Sequence, residues 1–339
     1  MKLEEFDQEL KEKNLIGFWS FARSGVHQEP SPSFEPCLWK WKEIYDAINR
    51  AGEMVGLDQS FRRFIGFRNP ALNSGTSRTL LLGAQLVKPG EVAAAHRHTM
   101  GAIRFVVRGG GAQTTINGEP FPMESGDLIT TPNRTWHDHY NGSGEPIIWL
   151  DGADGPLIQL LEIGFSEPFK EKQQPHTRPV GLSARELAPC RPSWVRPDSI
   201  QPPPYRYRWE DTEKILSALG EHPGEPHDGL LLRYVNPITG GPTLPTLSCE
   251  IQMLRPGEET KPHRHTSTVI YHAFRGKGFT VIGDKRYEWE TGDSFVVPLW
   301  RWHRHGNSSK NEAILFSLND RPLMEALCFY REEDRGERP

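Results

Sequence analysis

The sequence carries two copies of one pattern, and this internal repeat constrains the fold more than any other feature. Residues 89–98 (PGEVAAAHRH) match residues 256–265 (PGEETKPHRH), and residues 124–141 match residues 290–307. The offset is 167 between Gly90 and Gly257 and 166 between Gly126 and Gly292. In both copies short runs of strand-forming residues alternate with Gly, Pro and Asn, as is typical of β-rich domains. The repeat therefore predicts a duplicated β-domain.

The rest of the chain divides around this repeat. Residues 39–55 place apolar groups at helical intervals, whereas a Pro-rich stretch with little periodicity follows the first copy. We predict an all-β fold of two barrels with an N-terminal helical segment. The predicted boundaries are a helical segment at 1–60, a catalytic barrel at 61–165, a Pro-rich linker at 166–243, a second barrel at 244–330 and a charged tail at 331–339.

Composition excludes several classes of function. The 339 residues have a formal net charge of −4, so no broad basic field is present and we expect no nucleic-acid partner. The four cysteines lie far apart without a CxxC pair, which argues against disulfides and zinc-thiolate sites and favours a reducing cytoplasm. The first residues are charged, and no run of about 18 apolar residues occurs, so we expect neither a signal peptide nor a membrane span.

Histidines are the main candidates for chemistry. Successive side chains of a strand point to opposite faces, so His96 and His98 project to one side, as Arg104 does if the strand continues. If a neighbouring strand supplies His137, three imidazoles converge on one metal ion. Imidazole suits Fe, Zn, Cu and Ni alike, so the ligands alone do not choose the metal. A single His-x-His pair is often only a solvated strand feature, but the repeated context favours a metal site.

Arg104 marks a difference between the two copies of the repeat. An arginine that faces a barrel interior is costly unless it is paired, and its planar fork suits a substrate carboxylate. The alternative is a rim position in a surface ion pair. The second copy has Tyr271 at this place. We therefore expect catalysis in the first barrel, and leave open whether the second triad binds metal. That second triad consists of His263, His265 and His303.

Several segments carry a family resemblance. HRHTMGAIRFVV (96–107), MESGDLITTPNRTWHDHYN (123–141), IIWLDGADGPL (147–157) and RYVNPITGGPTLPT (233–246) resemble the gentisate 1,2-dioxygenase family of bicupins. That family includes salicylate, 5-nitrosalicylate and 1-hydroxy-2-naphthoate ring-cleaving members. The similarity extends over roughly residues 40–330. It implies two cupin barrels, a homotetramer and an extradiol-type 1,2-dioxygenase. The implied reaction is Fe(II)-dependent insertion of O₂ between the carboxyl-bearing and hydroxyl-bearing carbons of a 2-hydroxybenzoate.

The resemblance also implies roles for individual residues. His96, His98 and His137 match the iron ligands, and Arg104, Gln85 and His139 match the substrate-contacting set. Asp151 matches a partner that orients one of these. Arg62 or Arg63 is a further candidate cation, where the match is loose. For Gln85 and Asp151 the alternative is an ordinary buried polar group with its hydrogen bonds made.

The sequence departs from common cupin patterns at two kinds of position. Many cupins supply a Glu ligand four or five residues after the second His, but Ala102 and Ile103 stand there, and Ile270 stands there in the second copy. Three neutral ligands leave positions open for a chelating substrate beside O₂, and the missing Glu disfavours the oxalate-type bicupins. Met100 and Tyr140 flank the expected pocket and leave the ring substituent open among hydrogen, 5-hydroxyl, 5-nitro and a fused ring. The alternative function is a non-catalytic bicupin that binds a metal or small molecule.

Overall fold

A computed structural model describes residues 2–22, 29–188, 190–195 and 201–334. The chain divides into two compact units, Met1–Pro32 and Ser33–Pro339. In the first unit, helices α1 (Leu3–Glu12) and α2 (Phe18–Ala22) are joined by a short turn. The ring of Phe6 stacks on Trp19 at 5.9 Å, and the indole nitrogen of Trp19 donates to Asp7 at 2.7 Å. These two contacts hold the helical pair together.

The second unit contains two β-barrels that follow one another along the chain. Before the first barrel lie β1 (Cys37–Trp39), α3 (Trp41–Met54), α4 (Leu57–Ser60) and β2 (Phe64–Gly66). The first barrel comprises β3 (Leu81–Val87), β4 (Val92–His98), β5 (Ala102–Arg108), β6 (Ala112–Ile116), β7 (Glu119–Met123), β8 (Leu128–Thr131), β9 (His137–Asn141) and β10 (Ile147–Ala153). Then come α5 (Gly155–Leu160), β11 (Ser166–Pro168), α6 (Leu182–Glu186), β12 (Tyr205–Tyr207), α7 (Trp209–Ala218) and β13 (Leu230–Tyr234).

The second barrel repeats the same series. It comprises β14 (Ser248–Leu254), β15 (His263–His265), β16 (Val269–Arg275), β17 (Lys277–Ile282), β18 (Lys285–Glu290), β19 (Ser294–Val297), β20 (His303–Gly306) and β21 (Ala313–Asn319). Helix α8 (Arg321–Ala326) and β22 (Glu332–Asp334) complete the described chain.

Each barrel is built from two sheets. In the first barrel the strand orders are β12-β8-β5-β10-β3-β2 and β11-β4-β9-β6-β7, and in the second they are β1-β19-β16-β21-β14-β13 and β18-β17-β20-β15-β22. Apolar side chains from both sheets of a barrel fill its interior; Ile116, Met123 and Trp149, for example, are fully buried in the first. The histidine strands β4 and β9 therefore lie in the sheet opposite Arg104 on β5, across one enclosed space.

A third core joins the barrels. Phe105 from the first barrel stacks on Phe316 from the second, with ring centroids 4.1 Å apart. Matching hydrogen bonds flank this stack, since the hydroxyl of Thr79 donates to Asp320 and that of Thr246 donates to Asp154. Thr246 lies 167 residues after Thr79, and Asp320 lies 166 residues after Asp154, so the two hydrogen bonds are equivalent in the repeat. The repeat in sequence is thus a repeat in packing.

The elements that precede one barrel complete the other. Strand β12 precedes the second barrel but pairs with β8 of the first, and β1 precedes the first barrel but pairs with β19 of the second. A buried carboxylate accepts from the first helical residue in both cases, at 2.9 Å from Trp209 to Asp127 and at 2.8 Å from Trp41 to Asp293. Each indole also covers a glycine, Gly126 or Gly292, where φ is positive and an added Cβ would meet the ring. The exchange ties the two barrels together.

Three predicted segments need correction in detail. The described part of the segment 1–60 contains the helices α1 to α4, the strand β1 and irregular chain, and the described part of 166–243 contains α6, α7, β11, β12 and β13 besides irregular chain. The charged tail is ordered as far as β22, which pairs with β15; residues 335–339 lie outside the described residues. Pro-rich composition and charge hid these short strands, because edge strands are specified by their partners more than by their own residues. The domain boundaries themselves remain predictions.

The described helices include none that combines the length and the apolar character needed to cross a bilayer.

Candidate metal centre

Three histidines meet inside the first barrel. His96 and His98 project from the same face of β4, and His137 begins β9, where it pairs directly with His96. The ring centroids lie 4.3 Å apart for His96 and His137, 4.8 Å for His98 and His137, and 5.2 Å for His96 and His98. One ring nitrogen of each lies within 4.8 Å of the other two. The predicted triad therefore converges.

Backbone carbonyls fix the orientation of the rings. The Nδ1 atoms of His98 and His137 lie 3.0 Å from the carbonyl oxygens of Met100 and Thr135, and that of His96 lies 3.2 Å from the carbonyl of Ala94. A carbonyl can only accept, so the Nδ1 atoms of His98 and His137 carry the proton and their Nε2 atoms keep their lone pairs. The Nδ1 of His96 also lies 2.6 Å from the Nη2 of Arg62, which can only donate, so the carbonyl contact does not assign the tautomer of His96. This is the arrangement by which outer groups orient metal-binding histidines.

Burial and neighbouring charge keep the imidazoles neutral. Burial is the main cause that lowers the pKa of His96 to about 3 and that of His98 to about 4, and it holds the pKa of His137 well below its usual range. The positive charges of Arg62 and Arg104 act in the same direction. Neutral imidazoles are what a divalent metal requires.

A cavity of about 260 Å³ opens beside the triad. Polar groups and apolar groups line it in separate places. The polar side chains are Arg62, Gln85, His96, His98, Arg104, His137 and Asp151, and the apolar ones are Phe64, Leu81, Met100, Ala102 and Ala153. The volume lies just below the roughly 300–1,000 Å³ of drug-sized pockets, so the space suits a small molecule such as one substituted ring.

Strand register explains this separation. Ala153 pairs with both Ala102 and Leu81, so these three form an apolar row across β5, β10 and β3. Two residues further in, Asp151 pairs with Arg104 on one side and Gly83 on the other. The ring of Phe64 lies over Gly83, where an added Cβ would be 2.4 Å from it. The cavity thus has a charged row and an apolar row along one sheet.

Arg104 faces the barrel interior, and the rim alternative does not apply. The residue is 3% exposed, its Nη1 donates to the hydroxyl of Thr131, and its Nε lies 3.5 Å from Asp151. That Nε has no hydrogen-bond partner among the described residues. Burial raises the pKa of Asp151, whereas the charge of Arg104 opposes the rise. Arg104 is therefore a buried cation with donor capacity to spare.

The two adjacent arginines have different roles. Arg62 lines the cavity, donates to the carbonyl of Ala94 at 3.0 Å, and has an Nη2 atom 2.6 Å from the Nδ1 of His96. Burial, and then the charge of Arg104, lowers the pKa of Arg62 to about 9. Arg63 points elsewhere, since its guanidinium forms a two-pronged pair with Glu91 at 2.7 and 2.9 Å. The sequence did not show which of Arg62 and Arg63 belongs to the site, and in the structure Arg62 is the one that lines the cavity.

The remaining predicted site residues, Gln85 and His139, differ in whether they line the cavity. Gln85 lines the cavity, and its buried Nε2 has no partner among the described residues. His139 does not line the cavity; its Nδ1 lies 2.8 Å from the hydroxyl of Thr114, and its ring packs 5.0 Å from that of Trp149. Burial holds the pKa of His139 well below its usual range. Its Nε2 is also without a hydrogen-bond partner in the described chain.

Comparison with known proteins gives a consistent result. The cupin-domain family matches twice, at residues 83–152 and 250–319. A 5-aminosalicylate 1,2-dioxygenase of a Comamonas species is 39% identical, with 98% of this chain and 90% of the relative covered. A gentisate 1,2-dioxygenase of Aquipseudomonas alcaligenes is 37% identical, with 97% and 95% covered.

This chain belongs to the gentisate 1,2-dioxygenase-like family of bicupins. The crystal structure of a salicylate 1,2-dioxygenase from Pseudoaminobacter salicylatoxidans, described as adducts with gentisate, superimposes with a TM-score of 0.90 at 32% identity. That match covers 99% of this chain and 94% of the other. The predicted fold class, two cupin barrels with an N-terminal helical segment, is confirmed, and the chain is a 1,2-dioxygenase of the cupin type.

Phe64 and Leu81 at the gentisate 1,2-dioxygenase-like site were not predicted. Phe64 lies on β2, which joins the barrel through Gln85 and its neighbours, and Leu81 begins β3. Neither carries a polar group that would mark a site in sequence. The signal that could have found Phe64 is Gly83, an unusual residue within a buried strand that marks close approach by another group.

Proposed function

We propose that this bicupin is an Fe(II)-dependent dioxygenase that opens the ring of a 2-hydroxybenzoate. In this proposal both atoms of O₂ are inserted between C1, which bears the carboxylate, and C2, which bears the hydroxyl. The observation that carries the proposal is the neutral three-histidine cluster beside the buried cation Arg104 in one cavity. A metal alone would not need a cation with spare donors next to it, whereas an anionic chelating substrate does.

The three imidazoles fit a divalent first-row metal. His98 and His137 present Nε2 lone pairs, and one ring nitrogen of His96 lies within 4.8 Å of a ring nitrogen of each. No carboxylate ligand occupies the places of Ala102 and Ile103. When bound there, Fe(II) supplies a Lewis acid that favours the phenolate form of the substrate and a centre at which O₂ is activated. Positive charge around the site, from Arg62 and Arg104, suits a substrate that brings a carboxylate and a phenolate.

Arg104 binds the substrate carboxylate in this scheme. Thr131 on β8 and Asp151 on β10, the strands on either side of β5, hold the guanidinium and fix its direction before substrate arrives. Asp151 is thus a positioning residue. Gln85 offers its unpaired Nε2 to the substrate oxygens, because a buried amide without a partner is costly until a ligand supplies one. Arg62 adds a second cation at the edge of the triad.

His139 acts as a positioning residue beside the ligand His137. The ring centroids are 6.0 Å apart, and the low pKa of His139 keeps its ring neutral. Burial disfavours a protonated ring and His139 does not line the cavity, so we assign its Nε2, which has no partner among the described residues, a hydrogen-bonding role and not the role of a base.

The apolar row supports a substrate without a polar 5-substituent. With the carboxylate at Arg104, the ring extends toward Ala102, Ala153 and Leu81, which offer no hydrogen bond. We propose salicylate and 5-substituted salicylates as substrates, with gentisate as the comparison compound. A 5-hydroxyl would lose its hydrogen bonds to water against this row without gaining new ones.

Three further proposals follow from the family resemblance. We assign the reaction to the extradiol type, because the cleaved bond has only one hydroxyl-bearing carbon. We propose a homotetramer, supported by the exposed apolar side chains of Leu160, Leu161 and Ile163, and size-exclusion chromatography with light scattering tests it. A cytoplasmic location is supported by four unpaired cysteines, since disulfides persist mainly in oxidising compartments.

Oxygen uptake tests the function directly. Metal-free protein is loaded anaerobically with Fe(II), Zn(II) or Mn(II), and uptake is followed with salicylate, 5-chlorosalicylate, 5-nitrosalicylate, gentisate and 1-hydroxy-2-naphthoate. We expect uptake only with Fe(II), and incorporation of two labelled atoms from ¹⁸O₂ into a ring-opened acid. Turnover of gentisate alone would refute the role of the apolar row. Uptake with no 2-hydroxybenzoate, despite bound iron, would favour the non-catalytic bicupin.

A further inference from the structure

The second barrel holds a histidine triad of nearly the same shape as the first. His263 and His265 lie on β15 and His303 begins β20, where it pairs with His263. Ring centroids are 4.3 Å apart for His263 and His303, 5.0 Å for His265 and His303, and 5.4 Å for His263 and His265. One ring nitrogen of each again lies within 4.8 Å of the others. All three residues are at least nine-tenths buried.

Two of these imidazoles, those of His265 and His303, are also oriented for a metal ion. The Nδ1 atoms of His265 and His303 lie 2.9 Å from the carbonyl oxygens of Ser267 and Arg301. Their protons are therefore directed to the backbone, and the Nε2 lone pairs remain. The Nε2 of His303 is buried and has no hydrogen-bond partner in the described residues. A buried acceptor with nothing to accept is unfavourable unless a ligand occupies the site.

The charges around the second triad are opposite in sign to those around the first. Tyr271 replaces Arg104, and two carboxylates approach from outside the repeated motif. Asp228 places an oxygen 4.0 Å from the Nε2 of His263. Glu332, on β22, pairs with His265 on β15, and the hydroxyl of Tyr330 donates to its carboxylate at 2.8 Å. Such surroundings stabilise a cation and repel an anionic substrate.

In the second barrel the chain itself supplies a hydrogen-bond acceptor to the glutamine that corresponds to Gln85. Gln252 corresponds to Gln85, but its Nε2 donates to the carbonyl of Asp228 at 2.6 Å, whereas the Nε2 of Gln85 has no partner among the described residues. The loop 225–229 is also held from its other side, because the backbone of Lys261 donates to the carbonyl of Pro226 at 2.8 Å. The loop therefore carries the Asp228 carboxylate toward the triad.

We infer that the second barrel binds a divalent transition-metal ion through His263, His265 and His303, with Asp228 and Glu332 as its counter-charges. The loop 225–229 closes this metal centre, so the centre does not bind a carboxylate substrate. Its role is structural: the ion links the linker loop and the C-terminal strand β22 to the barrel, because each supplies one of the two carboxylates. The inference does not depend on the reaction of the first barrel.

Metal stoichiometry tests the inference in the full-length chain. Wild type, His137→Ala and His303→Ala are equilibrated anaerobically with Fe(II) or with Zn(II), desalted, and analysed by inductively coupled plasma mass spectrometry. Two triads predict two ions per wild-type chain and one in each variant. One ion per wild-type chain, with none in folded His137→Ala for either metal, would overturn the inference. If circular dichroism shows that a variant is unfolded, the wild-type stoichiometry decides alone.

A second measurement tests the carboxylate. In the His137→Ala background, Asp228→Asn keeps the side-chain shape and removes the charge. We expect the zinc dissociation constant to rise about 10- to 100-fold, as is common when a supporting group of a metal site is lost. Glu225→Gln, an exposed change in the same loop, is the matched control and should alter it less than twofold. Equal affinity in Asp228→Asn and the control would refute the role of Asp228.

Discussion

Replacement of Arg104 by methionine removes a buried charge while keeping an unbranched side chain of similar length. In the wild type, Nη1 donates to Thr131 and Nε faces Asp151, which leaves Nη2 and the second Nη1 hydrogen for the substrate. Hydrogen bonds to charged groups contribute about 1.5–3 kcal/mol each, so the loss of two costs about 3–6 kcal/mol. At 1.4 kcal/mol per factor of ten, kcat/KM should fall roughly 100- to 10,000-fold.

The partner of Arg104 provides a control for misfolding. Arg104→Met alone leaves the Asp151 carboxylate buried without its cation, which is strongly destabilising for a buried pair. Burial already raises the pKa of Asp151, so the carboxylate of the single variant should become protonated more readily. The double variant Arg104→Met/Asp151→Asn should therefore regain thermal stability and still bind substrate poorly.

The assay combines three measurements on the same preparations. Oxygen uptake gives kcat and KM for salicylate, elemental analysis gives iron per chain, and scanning calorimetry gives Tm. We expect KM to rise strongly, iron to stay at the wild-type level, and Arg104→Lys to be intermediate because it keeps the charge but loses the fork. An unchanged KM, or a loss of iron in proportion to activity, would refute the assignment of Arg104 to the substrate carboxylate.

Other predictions test the fold and the cavity. In Gly83→Ala the new Cβ would lie 2.4 Å from the ring of Phe64 and 2.5 Å from the backbone carbonyl of Ile65, so both Phe64 and the strand β2 that carries it should move. The ratio of kcat/KM for salicylate and gentisate in the uptake assay should change about tenfold or more, and an unchanged ratio would show that Phe64 does not set the specificity. Asp127→Ala removes the hydrogen-bond acceptor of the Trp209 backbone and the ion pair with Arg206. The free energy of unfolding, measured by urea denaturation, should fall by about 2–4 kcal/mol. A fall below about 1 kcal/mol would contradict the role of Asp127 in capping α7. Burial raises the pKa of Asp320 to about 6, so folding favours its protonated form, and this contribution is present below the usual pKa and lost as the pH rises through about 6. Asp320→Asn should therefore become more stable relative to wild type between pH 4 and 7, by about 3 kcal/mol at most, and parallel pH profiles of the two proteins would contradict this.

The duplicated barrels and the first triad could be predicted from sequence because both depend on local, periodic signals. Alternation along a strand puts His96 and His98 on one face whatever the partner strand is. The spacing from His98 to His137 recurs, one residue shorter, between His265 and His303, and chance does not produce such a match at so many positions. The inward direction of Arg104 does not follow from the same alternation, because β4 ends at His98 and Arg104 lies on β5 in the opposite sheet.

The exchange of β1 and β12 between barrels could not be predicted in this way. Both strands are three residues long, and their partners lie far away along the chain. A signal was nevertheless present, because Lys40-Trp41 and Arg208-Trp209 stand 168 residues apart, close to the offset of the barrels. The repeat therefore begins earlier than the cupin motifs, and includes the strand and helix that each copy gives to the other barrel.

The carboxylates of the second centre show where the motif-based argument stops. The sequence shows Ile270 where many cupins have a Glu ligand. A carboxylate can nevertheless come close to the metal site from a residue outside the motif. Asp228 reaches that place from the linker and Glu332 from the end of the chain, and neither position is fixed by strand alternation around the histidines. In the proposed scheme the substrate takes the corresponding space of the first barrel, and the charge that faces this space belongs to Arg104. In these proposals both barrels use three histidine ligands. The carboxylate near the metal comes from the substrate in the first barrel and from Asp228 and Glu332 of the chain in the second.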